Sequence, residues 1–406
     1  MDAYRAWADI DLDALTRNLA VIRNAIGDKV AVMLVVKADA YGHGAIAIAH
    51  HATRAGVTAF GVGTSTEALE LRHGGICAPI LVLGTIVDEE VVACLHHDIH
   101  IGLHSMNRCR TLQAAARRQG RIARVHLNID TGMGRLGVLP ERAVELLREI
   151  HTATHLELAG IMTHISSPKG DSTDGIASQT ARFEAVLAEA RAEDLVSGWV
   201  HMSNSAGLFS GTSPLYDCVR VGISAYGVVP KDATWGSDLD PVMSLRTRII
   251  FLKDLPDGST VGYDGTWTAV GKRRIATLPV GYNDGVPWRL SNQGEVLVRG
   301  QRAPIVGRVS MDYTTIDVTN IKDVNVDDVA TLIGDDGSET LLLRDVAKSA
   351  ETIPYEIACS IGKRVARVFR TPNTPGTTKC NQKRVTGDDR EDSQGSSGES
   401  LATSPR

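Results

Sequence analysis

Val30-Ala31-Val32-Met33-Leu34-Val35-Val36-Lys37, followed by Ala38-Asp39-Ala40-Tyr41-Gly42-His43-Gly44, is an unbroken apolar run that closes on a lysine and a glycine-bearing turn. Apolar runs without alternation belong to strands buried on both faces. The spacing over 44–54 is helical, so residues 30–54 read as one β-then-α unit. Moving outward, the unit recurs. Apolar runs fall at Val30–Val36, Ala59–Val62, Pro79–Leu83, Ile99–Leu103, Arg124–Ile129, Leu156–Met162, Trp199–Met202 and Cys218–Ile223, eight in all. Predicted helices lie between them at Gly44–Arg54, Ser65–Arg72, Asp88–His97, Met106–Gln119, Pro140–His151 and Ser178–Asp194. Eight such units predict an α/β fold, a (β/α)8 TIM-type barrel with functional residues where the strands end. A doubly wound open sheet also alternates; the count favours the barrel.

The pattern changes after Pro230. Short strands are predicted at Leu245–Leu252, Arg274–Leu278, Gly294–Val298, Ala303–Val309, Thr314–Val318 and Asp328–Ile333, with turns at Asp257-Gly258 and Asp336-Gly337 and a helix at Leu343–Ser349. The expected division is an N-terminal segment, 1–9, packing with the β domain; a barrel over 10–235; a mostly β C-terminal domain over 236–372; and a tail over 373–406. That tail holds only four hydrophobic residues (Cys380, Val385, Leu401, Ala402), too few to offset ordering entropy, and is expected to be disordered.

Composition narrows the function. A net charge of -5 over 406 residues argues against nucleic acid or an anionic membrane as the main partner. No run approaches the roughly 18 apolar residues of a membrane span, and the first residues show no secretory signal. The six cysteines are scattered without a C-x-x-C pair, as expected of thiols in a reducing cytoplasm. His96-His97-Asp98-Ile99-His100 through His104 tempts a metal reading, but it spans a helix end, a turn and a strand, so the imidazoles should diverge and no metal site is expected.

A lysine closing a buried strand at the rim of a barrel has two readings: a side chain that snorkels to solvent, or an amine prepared for covalent chemistry by desolvation. Its context decides. Lys37-Ala38-Asp39-Ala40-Tyr41-Gly42-His43-Gly44 resembles the pyridoxal-phosphate attachment segment of bacterial alanine racemases, fold-type III pyridoxal-phosphate enzymes. The resemblance continues, in family order, through Ile129-Asp130-Thr131-Gly132-Met133-Gly134-Arg135-Leu136-Gly137, Met162-Thr163-His164 and His201-Met202-Ser203-Asn204-Ser205. It then covers Val219-Arg220-Val221-Gly222-Ile223, Gly262-Tyr263, Gly281-Tyr282-Asn283-Asp284-Gly285, Gly307-Arg308-Val309-Ser310-Met311-Asp312 and Pro354-Tyr355-Glu356.

The resemblance implies a homodimeric racemase that interconverts L- and D-alanine and supplies D-alanine for cell-wall peptidoglycan. It implies that Lys37 holds the cofactor and serves one face of the substrate carbon, while Tyr263, from the second subunit, serves the other. Inversion at carbon needs two such bases. A tyrosine with an ordinary pKa of about 10 needs help to act at neutral pH, and His164 and Arg220 are the implied suppliers. Arg220 would face the pyridine nitrogen and, always protonated, keep it unprotonated, favouring racemisation over transamination or decarboxylation. Phosphate anchoring would fall to Tyr41, Ser205, Tyr355 and the backbone of Gly222 and Ile223, with Asn204 beside them. Arg135 and the backbone of Met311 would reach the substrate carboxylate, and Tyr282, Asp284, Arg289, Arg308 and Asp312 would line the substrate entrance.

Two positions depart from the family pattern. Many members carry a carbamylated lysine where this chain has Asn128, so a chloride beside Asn128 and Arg135 is the expected substitute. Pro354 stands where asparagine is commoner. Strict alanine specificity is therefore less firmly implied than the chemistry, and a broader racemase, acting for example on serine, stays open. A fold-type III amino-acid decarboxylase is disfavoured by Arg220, because those relatives usually place a carboxylate there. A cofactor-homeostasis protein of the same barrel type would lack the β domain that carries Tyr263 and Met311.

Overall fold

The structure, a computed structural model, describes residues 4–166, 175–229 and 238–370. The tail expected to be disordered, 373–406, lies outside the described residues, as do residues 1–3. The chain begins with a strand, β1 (Ala6–Asp11), whose last residue caps the helix Leu12–Ile26: Asp11 Oδ1 accepts from the Asp13 and Ala14 amides at 2.9 Å each. Gly27, at φ +79°, ends that helix.

Eight parallel strands then close into a barrel: β2 (Ala31–Val35), β3 (Ala59–Val62), β4 (Ile80–Val82), β5 (His100–Leu103), β6 (Ala123–Asn128), β7 (Leu156–Met162), β8 (Trp199–Asn204) and β9 (Cys218–Val221). Closure is made by β9 pairing with β2, in the register Val32 with Val219 and Met33 with Arg220. The helices between them start where their sequences provide caps. Thr64 and Glu67 form a reciprocal capping box ahead of Ser65–His73, Ser105 accepts from the Arg108 amide ahead of Met106–Gln119, and Pro140 opens Pro140–Thr152. The barrel interior is apolar at Met33, Ala59, Leu81, Met162 and Cys218, but it also takes in His126, His201 and Arg220, all essentially buried.

The C-terminal part is mostly β. A six-strand path runs Gln301–Pro304, Glu295–Val298, Val329–Asp336, Met243–Arg248, β1 and Ala366–Arg370, with β1 antiparallel to Met243–Arg248 and parallel to Ala366–Arg370. The N-terminal strand is thus an interior member of this sheet. A second sheet joins Phe251–Leu255, Arg273–Leu278 and Thr314–Asp317, and a small hairpin pairs Thr260–Val261 with Trp267–Thr268. The sequence expectation of one strand over Leu245–Leu252 is corrected: the chain breaks at Ile249–Ile250 and changes sheets, because Met243–Arg248 pairs with Val329–Asp336 and Phe251–Leu255 with Arg273–Leu278. The strand expected over Ala303–Val309 is shorter, Gln301–Pro304 with a lone bridge at Ile305, and Gly307 at φ +76° turns the chain away.

Candidate functional site

Lys37 follows the end of β2, on the rim where the barrel strands finish. The four residues after it take an unusual path: Ala38, Asp39, Ala40 and Tyr41 all lie at φ between +51° and +55°, a left-handed turn of non-glycine residues. Each left-handed residue costs roughly 1–2 kcal/mol. The neighbours hold it there. Glu67 accepts from the Ala38 amide (2.7 Å) and the Gly63 amide (2.7 Å), Asp39 accepts from the Ala45 amide (2.7 Å), and His43 Nδ1 lies 2.9 Å from the carbonyls of Ala40 and Tyr41. From the C-terminal part, Arg367 Nε donates to the Gly42 carbonyl at 2.9 Å. Gly42 is required there, at φ +78°, since a Cβ would stand 2.3 Å from the carbonyl oxygen of Ala358.

The turn buries Tyr41, whose ring packs at 5.3 Å from Tyr226 and 5.8 Å from Tyr355. Burial pushes the phenols of both Tyr41 and Tyr355 up, so both are protonated donors at neutral pH. Nearby, Ser205 Oγ accepts from the amides of Gly222 (3.0 Å) and Ser224 (3.3 Å) and lies 2.9 Å from Ser224 Oγ, a hydroxyl pair in which either oxygen can donate. The Gly222 N–H is thus already engaged, while the Ile223 N–H has no acceptor among the described residues. Asn204 caps the helix Ser205–Ser210, its Oδ1 accepting from the Gly207 amide at 2.9 Å.

Arg220, on β9, is 3% exposed. Its NH1 reaches His201 Nδ1 (2.9 Å) and the His201 carbonyl (3.1 Å). Its NH2 reaches the carbonyls of Thr163 (2.7 Å) and Met202 (3.1 Å) and His164 Nδ1 (3.3 Å). Among the described residues, acceptors stand against four of its five N–H groups and none against Nε–H. Burial pushes this guanidinium down to about 10, still charged at neutral pH. His164 is pushed down to about 3 by burial and then by Arg220, Arg135 and Lys37, so it is neutral. That electrostatic set brings Lys37, Arg135, His164 and Arg220 into one neighbourhood.

Asn128 is 7% exposed, and among the described residues its Nδ2 finds only the Leu136 carbonyl at 3.5 Å, the outer limit of a hydrogen bond. Arg135 is exposed and has no ion-pair partner among the described residues.

The residues predicted from the C-terminal part divide in two. Tyr355 joins Tyr41. Tyr263 lies inside the small hairpin, 71% exposed, and makes no hydrogen bond to Lys37, His164 or Arg220 among the described residues. Met311 is 52% exposed and Tyr282 is exposed beside it, its amide bonded to the Ser310 carbonyl at 3.0 Å. Arg308 pairs with Asp264 at 2.9 Å and Arg289 pairs with Glu351. Sequence reasoning missed the residue that ties this cluster together. Arg364 donates to both carboxylate oxygens of buried Asp284 (2.9 and 2.8 Å), to Asp312 (2.6 Å) and to the Met311 carbonyl at 3.5 Å. It also gave no role to His126 and His201, each a titratable ring flanked by apolar residues in its strand, Val125 and Leu127 for one and Val200 and Met202 for the other.

Comparison with known proteins accounts for this arrangement. Among curated proteins, the alanine racemase of Geobacter sulfurreducens is 41% identical over 378 residues, covering 92% of this chain and 99% of that protein. Among solved structures, alanine racemase of Clostridium difficile 630 superimposes with a TM-score of 0.87 at 32% identity, covering 92% of this chain and 98% of that one. Alanine racemase of Bartonella henselae, solved with covalently bound pyridoxal phosphate, gives 0.81 at 29% identity, covering 91% and 100%. The model of the alanine racemase N-terminal domain matches residues 10–230 and that of the C-terminal domain matches 242–369, so by sequence and by fold the chain belongs to the alanine racemase family.

Proposed function

We propose that the protein is a cytoplasmic, homodimeric, pyridoxal-phosphate-dependent racemase that interconverts L- and D-alanine with two bases, and that its D-alanine feeds peptidoglycan synthesis. The observation that carries the reading is the buried Arg220, with every N–H but Nε–H engaged among the described residues. The residues fit the cofactor. A free guanidinium N–H suits a pyridine nitrogen, while the hydroxyls of Tyr41, Tyr355 and Ser205 with the Ile223 N–H suit a phosphate dianion. When bound, pyridoxal phosphate supplies the electron sink that acidifies the Cα–H of an amino acid.

The chain's own groups do the rest. Lys37 would hold the cofactor and, as the free amine, its Nζ would take or return the Cα proton on one face. Tyr263, exposed and with no side-chain hydrogen bond among the described residues, would serve the opposite face of the partner's site. Arg220 holds His164 Nδ1 as an acceptor, so the His164 proton sits on Nε2, where it would donate to a tyrosine oxygen and ease loss of the phenolic proton. Arg220 itself would donate to the pyridine nitrogen and keep it unprotonated, weakening the sink and favouring fast reprotonation. Arg135 would take the substrate carboxylate, with Met311 and Asp312 of the partner and Tyr282 narrowing the approach. Support for this last role comes from Arg364, which fixes Asp312 and the Met311 carbonyl in one piece. A chloride would complete the environment of Arg135 beside Asn128.

The test is incubation of purified protein with pyridoxal phosphate and, separately, L-alanine, L-serine and L-lysine, followed by chiral analysis. Racemisation of alanine alone or in clear preference is expected. Release of carbon dioxide, or no change in any substrate, would overturn the reading.

A further inference from the structure

Three histidines run through the barrel in single file. His100 Nδ1, on β5, lies 3.1 Å from His126 Nε2 on β6, and His126 Nδ1 lies 2.9 Å from His201 Nε2 on β8. His201 Nδ1 is in turn 2.9 Å from Arg220 NH1 on β9. The file passes from β6 to β8 across β7, and it does so at Gly160, where a Cβ would stand 2.5 Å from His126 Nδ1. His126 and His201 are 1% and 0% exposed, whereas His100, the first residue of its strand, is half-buried.

One end dictates the order of protons. A guanidinium only donates, so His201 Nδ1 accepts and its proton sits on Nε2. That proton is given to His126 Nδ1, which places the His126 proton on Nε2, where it is given to His100 Nδ1. Every ring therefore turns its lone pair toward Arg220. This answers a physical need, because a buried cation is costly unless its charge is met. Arg220 has no carboxylate partner among the described residues, only these lone pairs, that of His164 and three carbonyls.

We propose that His126 and His100 are positioning residues for the reaction: acting through His201, they hold Arg220 in place and keep the file in one proton order. The proposal rests on the reading that Arg220 faces the cofactor ring. Burial holds all three imidazoles below their ordinary range, so they are neutral at pH 7, as the file requires. The charged groups around His100 are Asp98, Glu157, Arg124 and Arg72; Arg124 pairs with Asp98 and with Glu157, so that end of the file lies among paired charges.

Neutron diffraction on deuterium-exchanged crystals of the holoenzyme reads the order directly. Deuterium on Nε2 and none on Nδ1 of His100, His126 and His201 is expected; deuterium on Nδ1 of His126 or His201 overturns the proposal. The role is tested by two variants. His126→Phe keeps a planar ring and deletes both bonds, and is expected to lower kcat about tenfold with KM within about twofold, together with a shift in the cofactor's visible absorption. His126→Asn keeps an acceptor oxygen near the Nδ1 position and should recover most of kcat. A His126→Phe enzyme with unchanged kcat, or equal losses in the two variants, overturns it. Should His126→Phe fail to fold, the neutron map and the His126→Asn kinetics still decide. Failure of the racemase reading is distinguishable, since it appears as an unmodified protein that leaves alanine unchanged whatever the proton order.

Discussion

Tyr41 Oη stands where the side chain of residue 222 would begin: a Cβ on Gly222 would lie 2.7 Å from that oxygen and 3.1 Å from Cζ. The Tyr41 ring is confined between Tyr226 and Tyr355 and has little room to withdraw. Gly222→Ala should therefore displace the hydroxyl and weaken pyridoxal-phosphate binding by roughly tenfold, the loss of about one charge-assisted hydrogen bond. Absorbance titration of the apoprotein measures this; an unchanged dissociation constant would show that Tyr41 does not anchor the phosphate.

Lys37→Ala should abolish both the visible band of the bound cofactor and racemisation, and Tyr263→Phe should cut turnover far more than cofactor affinity. If each site takes Lys37 from one subunit and Tyr263 from the other, the two inactive variants complement. A mixed dimer then holds one intact site, so random reassociation should restore about a quarter of the parent activity. No recovery after verified mixing would place both residues in the same chain's site.

Buried histidines set an acid limit on stability. His43 and His100 are pushed down to about 4 and His164 to about 3, in each case chiefly by burial, while His126 and His201 are also lowered. Their unfolded value is about 6.5. Below it the unfolded chain binds protons that the folded chain refuses, so stability is full above about pH 6.5 and falls as the pH drops toward the folded values. Each such histidine contributes up to about 1.4 kcal/mol per pH unit. Thermal melts between pH 8 and 5 should show Tm falling from near 6.5, ahead of carboxylate titration. A flat Tm across that range would contradict the burial of these rings.

Asn128 and Arg135 give a fourth test. Crystals grown with bromide should show an anomalous peak beside the Asn128 amide, and Asn128→Asp, which brings its own negative charge, should remove it. A featureless map at that position in bromide would mean that Arg135 is balanced by solvent alone.

Much of this was legible in the sequence, for identifiable reasons. The barrel strands announced themselves because strands covered on both faces cannot alternate, and the observed Leu156–Met162 and Ala59–Val62 coincide with their apolar runs. Met106–Gln119 was readable from Ser105 before it and Gly120 after it. The helix Leu12–Ile26 was passed over although Asp11 and Gly27 mark both of its ends. Lys37 and Arg220 stand out as candidates through motif context, not periodicity. Other features had no local signal. Arg364 reads as a surface charge beside Lys363, and its grip on Asp284, 80 residues away, exists only in the folded chain. Nothing in Ala38-Asp39-Ala40-Tyr41 announces a left-handed path, since none of the four is a glycine.

That path has a consequence for the order in which the protein is made. Four left-handed residues carry roughly 4–8 kcal/mol of strain, comparable to the whole stability of a typical domain. Some of the bonds and contacts that hold them come from residues 355–367, which a ribosome delivers more than 300 residues after Lys37. A nascent chain that has completed only its barrel would carry the lysine on an unformed turn. Cofactor capture is then a late step of biogenesis, and a ribosome-stalled chain ending before Pro354 should fail to retain pyridoxal phosphate that the finished chain holds.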